Sequence, residues 1–289
     1  MSSPPVPRPE YVRDQVAEHD FGVVRKPLTA WDRIYGNAFV RKTAILVALA
    51  AIWQLYAMHL GNALLMPTFG ETIQSFYDRI ADGELLRKSW TSIKVLLQGY
   101  ALGLVLALAI TMLAIASRVG NDLLETLTAM FNPLPAIALL PVALIWFGLG
   151  NGSIIFVLVH AVMWPIALAT HSGFLGVSNT LRMVGRNYGL TGFAYIRRIL
   201  IPAAFPSILS GLKIGWAFAW RTLIAAELVF GTTSGSGGLG WFIYENKNVL
   251  DIPAVFAGLF TVILIGLLVE NLIFRTIALR TVRRWGMHS

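Results

Sequence analysis

The sequence predicts an all-α, polytopic membrane protein with six transmembrane helices. Three observations carry this. Charged residues make up only 13% of the chain and hydrophobic residues 56%, whereas soluble domains carry about a quarter charged residues. Six apolar runs have the length of about 20 residues that a helix needs to cross a hydrocarbon core about 30 Å thick. Lipid offers no partner to backbone N–H and C=O groups, so such runs survive there only with internal helical hydrogen bonds.

The chain of 289 residues opens on a polar, proline-bearing segment, SSPPVPRPEYVRDQVAEHD. It lacks the apolar run of a signal peptide, and residues 1–42 are expected to form a cytoplasmic tail. The expected spans are Thr43–Leu60, Ile93–Ala116, Leu124–Phe147, Ile154–Leu175, Ser207–Phe230 and Val255–Leu279. Residues 43–281 then form the membrane domain and 282–289 a second cytoplasmic tail. Between the first two spans, ETIQSFYDRIADGELL places Ile73, Phe76, Tyr77 and Ile80 at helical spacing. That pattern predicts an amphipathic helix on the outer membrane surface. The third span carries Pro133, Pro135 and Pro141, and the fourth carries Pro165 after Trp164. Proline removes a backbone donor and clashes with the preceding turn, so the third span should bend or break. Freed backbone groups are tolerated at membrane depth only where they face protein or water. Pro133, Pro135 and Trp164 are therefore candidates for the wall of a pathway.

Orientation follows from the bases. Arg8, Arg13, Arg25, Lys26, Arg33, Arg41 and Lys42 precede the first span, Arg118 lies between the second and third, and Arg182, Arg186, Arg197 and Arg198 lie between the fourth and fifth. Arg275, Arg280, Arg283 and Arg284 stand at or after the end of the sixth. With six spans all of these share one side, so both termini are expected in the cytoplasm. The bias is imperfect, because Arg79, Arg87, Lys88 and Lys247 fall on the outer side. The net charge of +8 thus reflects loop placement, and no nucleic-acid partner is expected.

Several chemistries find no support. The chain has no cysteine, which removes disulfides and thiol chemistry. No G-x-x-x-x-G-K-[ST] occurs, so the chain has no ATP-binding P-loop of its own. GSGGLG, Gly235 to Gly240, matches a dinucleotide fingerprint but follows a membrane span instead of a strand, and reads as an outer turn. His160 and His171 are eleven residues apart, too far for a one-turn metal pair. No catalytic residue, cofactor or metal site is expected. A membrane enzyme would need clustered acids or histidines at the membrane surface, and none is found. Transport is the reading that remains.

Charge inside a span is rare and informative. The fifth span holds Lys213, near its cytoplasmic end, and deeper Arg221 and Glu227, next to Trp220. Arg221 and Glu227 are six residues apart, about 120° around a helix, so they do not simply pair. Trp220, Arg221 and Glu227 are expected to face a pathway or a partner helix.

The loop between spans four and five, residues 176–205, breaks the apolar pattern. MVGRNYGLTGFAYIRRILIPAAFP is basic, carries no acid and combines Gly185, Gly189 and Gly192 with Tyr188, Phe193 and Tyr195. It predicts a short helix–turn–helix across the cytoplasmic face, with glycines making the turns. Pro202 and Pro206 are expected in the first turn of the fifth span. An exposed aromatic at the tip suits a groove on another protein, where burial contributes about 1.5–3 kcal/mol.

Gly189, followed by Ile196 seven residues on and by Ile201-Pro202 at twelve and thirteen, resembles the coupling loop of bacterial ABC importer permeases. That motif reads E-A-A, three residues, G, then a later hydrophobic residue and proline. NPLPAIALLPVALIWFGLG, IRRILIPAAFPSILSGLKIGWAFAW and LIAAELVFGTTSGSGGLGWFI are similar to the subgroup that imports nitrate, taurine and alkanesulfonates, and the likeness covers roughly Leu65 to Thr281. The motif's acid falls on Met183 and its alanines on Val184 and Gly185, so the usual charge contact is replaced; Arg186 is the nearby polar group. The resemblance implies a permease subunit of the inner membrane working as a homodimer, driven by two cytoplasmic ATPase subunits and supplied by a periplasmic or extracellular binding protein. It implies ATPase contacts at Gly185, Arg186, Gly189, Leu190, Thr191, Gly192, Phe193 and Ile196, and a solute such as nitrate, a sulfonate, taurine or a related aromatic compound. A stand-alone secondary transporter or channel is the alternative.

Reporter fusions after Gly61, Gly120, Gly152, Gly176 and Gly238 should read outside, inside, outside, inside, outside. An inside signal at Gly238 overturns this topology.

Overall fold

The computed structural model describes residues 36–230 and 237–282. Most of the N-terminal tail, Gly235 and Ser236 of GSGGLG and the C-terminal tail beyond residue 282 lie outside the described residues. The chain divides at Leu49 into two units. In the first, residues 38–49 are the beginning of helix α1, Ala38–Leu60. In the second, α1 continues and is followed by α2 (Phe69–Ala81), α3 (Glu84–Ala116), α4 (Arg118–Phe131), a 3-10 turn (Ala136–Leu139), α5 (Leu140–Phe147) and α6 (Asn151–Leu175). Then come α7 (Asn179–Asn187), α8 (Gly192–Tyr195), a π segment (Ile196–Leu200), α9 (Ile201–Phe230), α10 (Leu239–Asn248), α11 (Ile252–Leu268), a second π segment (Val269–Phe274) and α12 (Arg275–Arg280). No strand occurs among the described residues.

Five helices are long and apolar enough to cross a membrane, and a sixth crossing results if the α4–α5 pair is one broken span. That pair bends by 88°. The bend sits where Pro133 and Pro135 interrupt the backbone ladder, and Pro141 then starts α5 within its first two positions. Proline is tolerated there because the first-turn donors of a helix are unpaired anyway. The expected single run over Leu124–Phe147 is thus two helices at nearly a right angle.

A second correction concerns the fifth span. It was expected from Ser207, with Pro202 and Pro206 in its first turn; instead one helical run extends from Gly192 to Val229, 38 residues. The π segment reconciles the prolines with continuity. Pro202 cannot donate to a carbonyl four residues back, and the Ile201 N–H bonds instead to the Ile196 carbonyl, five back. The ladder is re-phased just before the ring that would otherwise clash with it.

α6 lies between α3 and α9, and Val157, Leu158, Val162 and Ile166 on it are fully buried. The helices approach at glycines. A Cβ on Gly99 would sit 2.6 Å from the Leu158 Cβ, and one on Gly103 would sit 2.8 Å from the Val162 Cβ. On the other side, Gly211 faces the Ala169 Cβ at 2.6 Å and Gly173 faces the Ser207 Cβ at 2.7 Å. Small residues at such crossings let backbones pack closely where no hydrophobic force separates protein from lipid.

The C-terminal half of α1 is anchored by Trp53, whose Nε1 donates to the Pro67 carbonyl at 3.0 Å and whose ring contacts Phe69 and Phe256. The amphipathic helix is α2, started by a capping box in which Thr68 and Glu71 exchange side-chain-to-backbone hydrogen bonds. Its Phe76 and Ile80 pack on the core while Tyr77 is exposed. Arg79 ties α2 to the start of α3 and of α11 through Glu84 at 2.6 Å and Asp251 at 2.8 Å.

Gly99→Ala and Gly211→Ala should each destabilise the detergent-solubilised protein by about 1–3 kcal/mol through overpacking. Gly152→Ala, where a Cβ meets Phe147 at an ordinary 3.6 Å, should leave thermal unfolding unchanged.

Candidate functional site

The break between α4 and the 3-10 turn opens a cavity of about 290 Å³. Asn132, Pro133, Leu134 and Pro135 of the link form one wall; His160, Ala161 and Trp164 of α6 form the second; Phe218, Arg221 and Thr222 of α9 form the third. The local reason is periodicity. His160 and Trp164 are four apart and Phe218, Arg221 and Thr222 lie at i, i+3 and i+4, so each set shares one helix face. Trp164 stacks on Phe131 with centroids 5.5 Å apart and planes at 12°, and His160 meets Phe131 edge-on. His160 also lies against the Phe131 backbone, and the Trp164 Nε1 has no hydrogen-bond partner.

Arg221 is exposed on its helix. Its Nε donates to the Ala217 carbonyl at 3.1 Å and its guanidinium lies over the Phe218 ring at 5.4 Å. No carboxylate among the described residues pairs with it. A central arginine is unfavourable in lipid by at least about 2.5 kcal/mol on insertion scales, so this face of α9 needs water or protein against it.

Of the pathway candidates, Pro133, Pro135, Trp164 and Arg221 come together at this cavity, and Trp220 and Glu227 do not line it. Trp220 is buried and donates from Nε1 to the Val262 carbonyl of α11 at 3.3 Å. Glu227 is 4% exposed. Its carboxylate accepts from the Ser92 hydroxyl of α3 and from the Gly240 N–H, both at 2.8 Å, while Ser92 Oγ accepts from the Leu239 N–H. The carboxylate therefore sits on the first turn of α10, where unpaired N–H groups and the helix dipole favour an anion. A Cβ on Gly238 would lie 2.1 Å from the Glu227 Oε1, which explains the described part of GSGGLG as close approach. The sequence held a signal for His160, Phe218 and Thr222 in their helical spacing, but nothing local tied Ser92 to Glu227, 135 residues away.

On the opposite side, α7, the turn and α8 form one unit. Arg182 donates from Nε to the Val177 carbonyl and from Nη2 to the Phe174 carbonyl, fastening α7 to the end of α6. α7 ends in a Schellman arrangement: Leu190 N–H bonds to Gly185 C=O and Gly189 N–H to Arg186 C=O. Gly189 has φ +68° and Gly192 φ +54°, so both need glycine for the turn. Gly185 serves packing instead, since a Cβ there would lie 2.9 Å from Tyr195 and 3.0 Å from Ile199. This rigid unit presents Tyr188 at 81% exposure and Phe193 at 67%, with Met183 also exposed. Arg186 and Thr191 are exposed, and Leu190 and Ile196 are half-buried.

A helical bundle with a polar-and-aromatic cavity inside its spans, and a stiff loop between α6 and α9 tipped with uncovered apolar side chains, defines a transport subunit driven from outside itself. The comparisons agree. The sequence profile of the binding-protein-dependent transport system inner membrane component matches residues 94–283, and the chain belongs to that family. It is 31% identical over 243 residues, covering 83% of this chain and 90% of the relative, to a protein of Methanocaldococcus jannaschii named as an ABC transporter permease. It is 29% identical over 226 residues (78% and 84%) to a protein of Escherichia coli K12 named as an aliphatic sulfonates transport permease. It is also 29% identical over 247 residues (83% and 88%) to a nitrate import permease of Synechocystis. The chain is thus a multi-pass membrane permease of a binding-protein-dependent ABC import system, a transport subunit whose partners include an ATPase and a binding protein.

Ser92→Ala should destabilise the protein by about 1–3 kcal/mol by leaving the buried Glu227 carboxylate short of a donor. Thermal unfolding in detergent measures this, and an unchanged midpoint removes the clamp from the account.

Proposed function

We propose that this permease works as a homodimer with six crossings per copy and both termini cytoplasmic, and that the unit of Gly185 to Ile196 is the docking site for a separate ATPase subunit. Residues 43–281 form the membrane domain, and the segments 1–42 and 282–289 are cytoplasmic tails. Two ATPase subunits hydrolyse ATP, and an external binding protein delivers the solute. The observation that carries the docking site is the rigid, glycine-fixed turn that holds Phe193 and Tyr188 out of the chain's own core. Leu190 and Phe193 enter the ATPase groove, Gly189 and Gly192 set the turn, and Arg186 supplies the polar contact in place of an acid at Met183.

The pathway passes the link at Pro133 and Pro135 and the facing Trp164 and Arg221, while Trp220 and Glu227 hold the spans that line it. The solute is a small anion, in keeping with the sulfonate and nitrate named for the relatives and with the unpaired charge of Arg221. The helical run from Gly192 to Val229 links the two ends of this mechanism. Phe193 and Arg221 are separated along it by roughly 42 Å, at about 1.5 Å per residue. Closure of the ATPase pair around ATP pulls on Phe193, and the helix carries that displacement to the wall of the cavity.

Single cysteines at Leu190, Thr191 and Phe193 are clean probes because the chain has none of its own. They should crosslink to cysteines along the ATPase groove with a yield that changes with ATP. Phe193→Asp should stay in the membrane but retain the ATPase about tenfold less well or worse, given the apolar burial lost. Normal co-purification and normal transport by Phe193→Asp would leave the loop as a merely solvated segment.

A further inference from the structure

We propose that the cavity under the α4–α5 break is a solute-binding site within the membrane, and that it selects an organic anion with a flat or apolar body over a bare inorganic oxyanion. The proposal rests on the permease reading and extends it to the chemistry of the solute. Its first support is the combination of charge and wall. Arg221 is the charged residue among those lining the cavity, and no acid lines it. The acid of the same helix, Glu227, is engaged by Ser92 and Gly240. Only the Nε of Arg221 is occupied, by the Ala217 carbonyl, so its terminal nitrogens remain as a fork. A guanidinium fork matches a sulfonate or carboxylate by two parallel hydrogen bonds.

The second support is the aromatic corner. Trp164 is 5% exposed, and its Nε1 has no hydrogen-bond partner. His160, beside it on the same helix face, meets the Phe131 ring edge-on and lies against the Phe131 backbone. Buried polar groups are nearly always satisfied in folded proteins, so the unpaired Trp164 N–H calls for a polar partner from outside the chain. Thr222 and Asn132 add two further polar groups to the lining.

The third support is size and surface. The cavity, about 290 Å³, is near the lower edge of the roughly 300–1,000 Å³ typical of small-molecule sites. It far exceeds the space of one water, about 30 Å³ in the liquid. Pro133, Leu134, Pro135 and Ala161 make much of the wall apolar. A nitrate-sized ion held by Arg221 leaves that wall against water, whereas a solute with a hydrocarbon or ring attached to its anionic group covers it and gains the apolar burial.

The test uses the full chain in lipid nanodiscs, without any binding protein, and benzenesulfonate as the probe. Equilibrium dialysis should show saturable binding, and the probe should slow alkylation of a cysteine placed at Ala161. Arg221→Gln should weaken binding about tenfold or more, and Arg221→Lys, which keeps the charge but loses the fork, should weaken it by a smaller factor. Nitrate at ten times the probe concentration should displace little of it. Absence of saturable binding, unchanged binding in Arg221→Gln, or equal competition by nitrate overturns the proposal. ATPase association is measured on the same preparations. Binding lost with the ATPase retained rejects this site alone. Binding retained without ATPase association rejects the docking reading and leaves the site in place.

Discussion

The close approach of α3 and α9 to the two sides of α6 is the constraint on which the rest of the structure depends. Lipid tails are as apolar as leucine, so these helices gain little from hiding hydrocarbon and must gain from contact itself. Contact is achieved by omission: Gly99 and Gly103 meet Leu158 and Val162, and Gly173 and Gly211 meet Ser207 and Ala169. Once α6 is fixed in this way, its other features fall into place. His160 and Trp164 are turned toward the broken span. The carbonyls of Phe174 and Val177, at and just past its C-terminal end, are offered to Arg182, which fastens the following loop. The cavity and the loop thus share one scaffold helix.

Charge is distributed by the same economy. Of the basic residues that stand against the orientation rule, Arg79 is paired with Glu84 and Asp251, and Lys88 with Glu245. Arg79 and Lys88 are thus neutralised where they stand, whereas Arg87 and Lys247 form no ion pair among the described residues. Within the membrane, Lys213 meets Glu270 at 3.2 Å and Glu227 rests on the first turn of α10. Arg186, Arg197 and Arg198 on the loop form no ion pair among the described residues, and neither does Arg221 at the cavity.

Much of the fold was legible in the sequence because membrane insertion writes its demands locally. Each long apolar run became a helix, and Pro133 and Pro135 announced the break, although the 88° angle depends on what packs against it. Where the signal was ambiguous the reading slipped. Pro202 and Pro206 look like the start of a helix, and nothing in ILIPAAFP tells that a π segment admits them to its interior. At the site, intramembrane charge and proline pointed to Arg221, Trp164, Pro133 and Pro135. They could not separate these from Glu227, because the partners that bury it, Ser92 and Gly240, come from other helices. The glycines of the loop were read as turns, which holds for Gly189 and Gly192, while Gly185 answers to Tyr195.

The π segment has one more consequence, for the angular register between the two ends of α9. A π turn takes up about one residue more than an α turn, so counting at about 100° per residue from Phe193 to Arg221 misjudges their azimuth by about one step. The surplus residue is stored between Ile196 and Leu200. Losing one residue there relaxes the chain to plain α geometry and keeps the loop in phase with the span, at the expense of returning Pro202 to a regular turn. The same loss between Ile208 and Trp220 swings the loop by about 100° around the helix axis, and Phe193 then faces away from whatever it was built to meet.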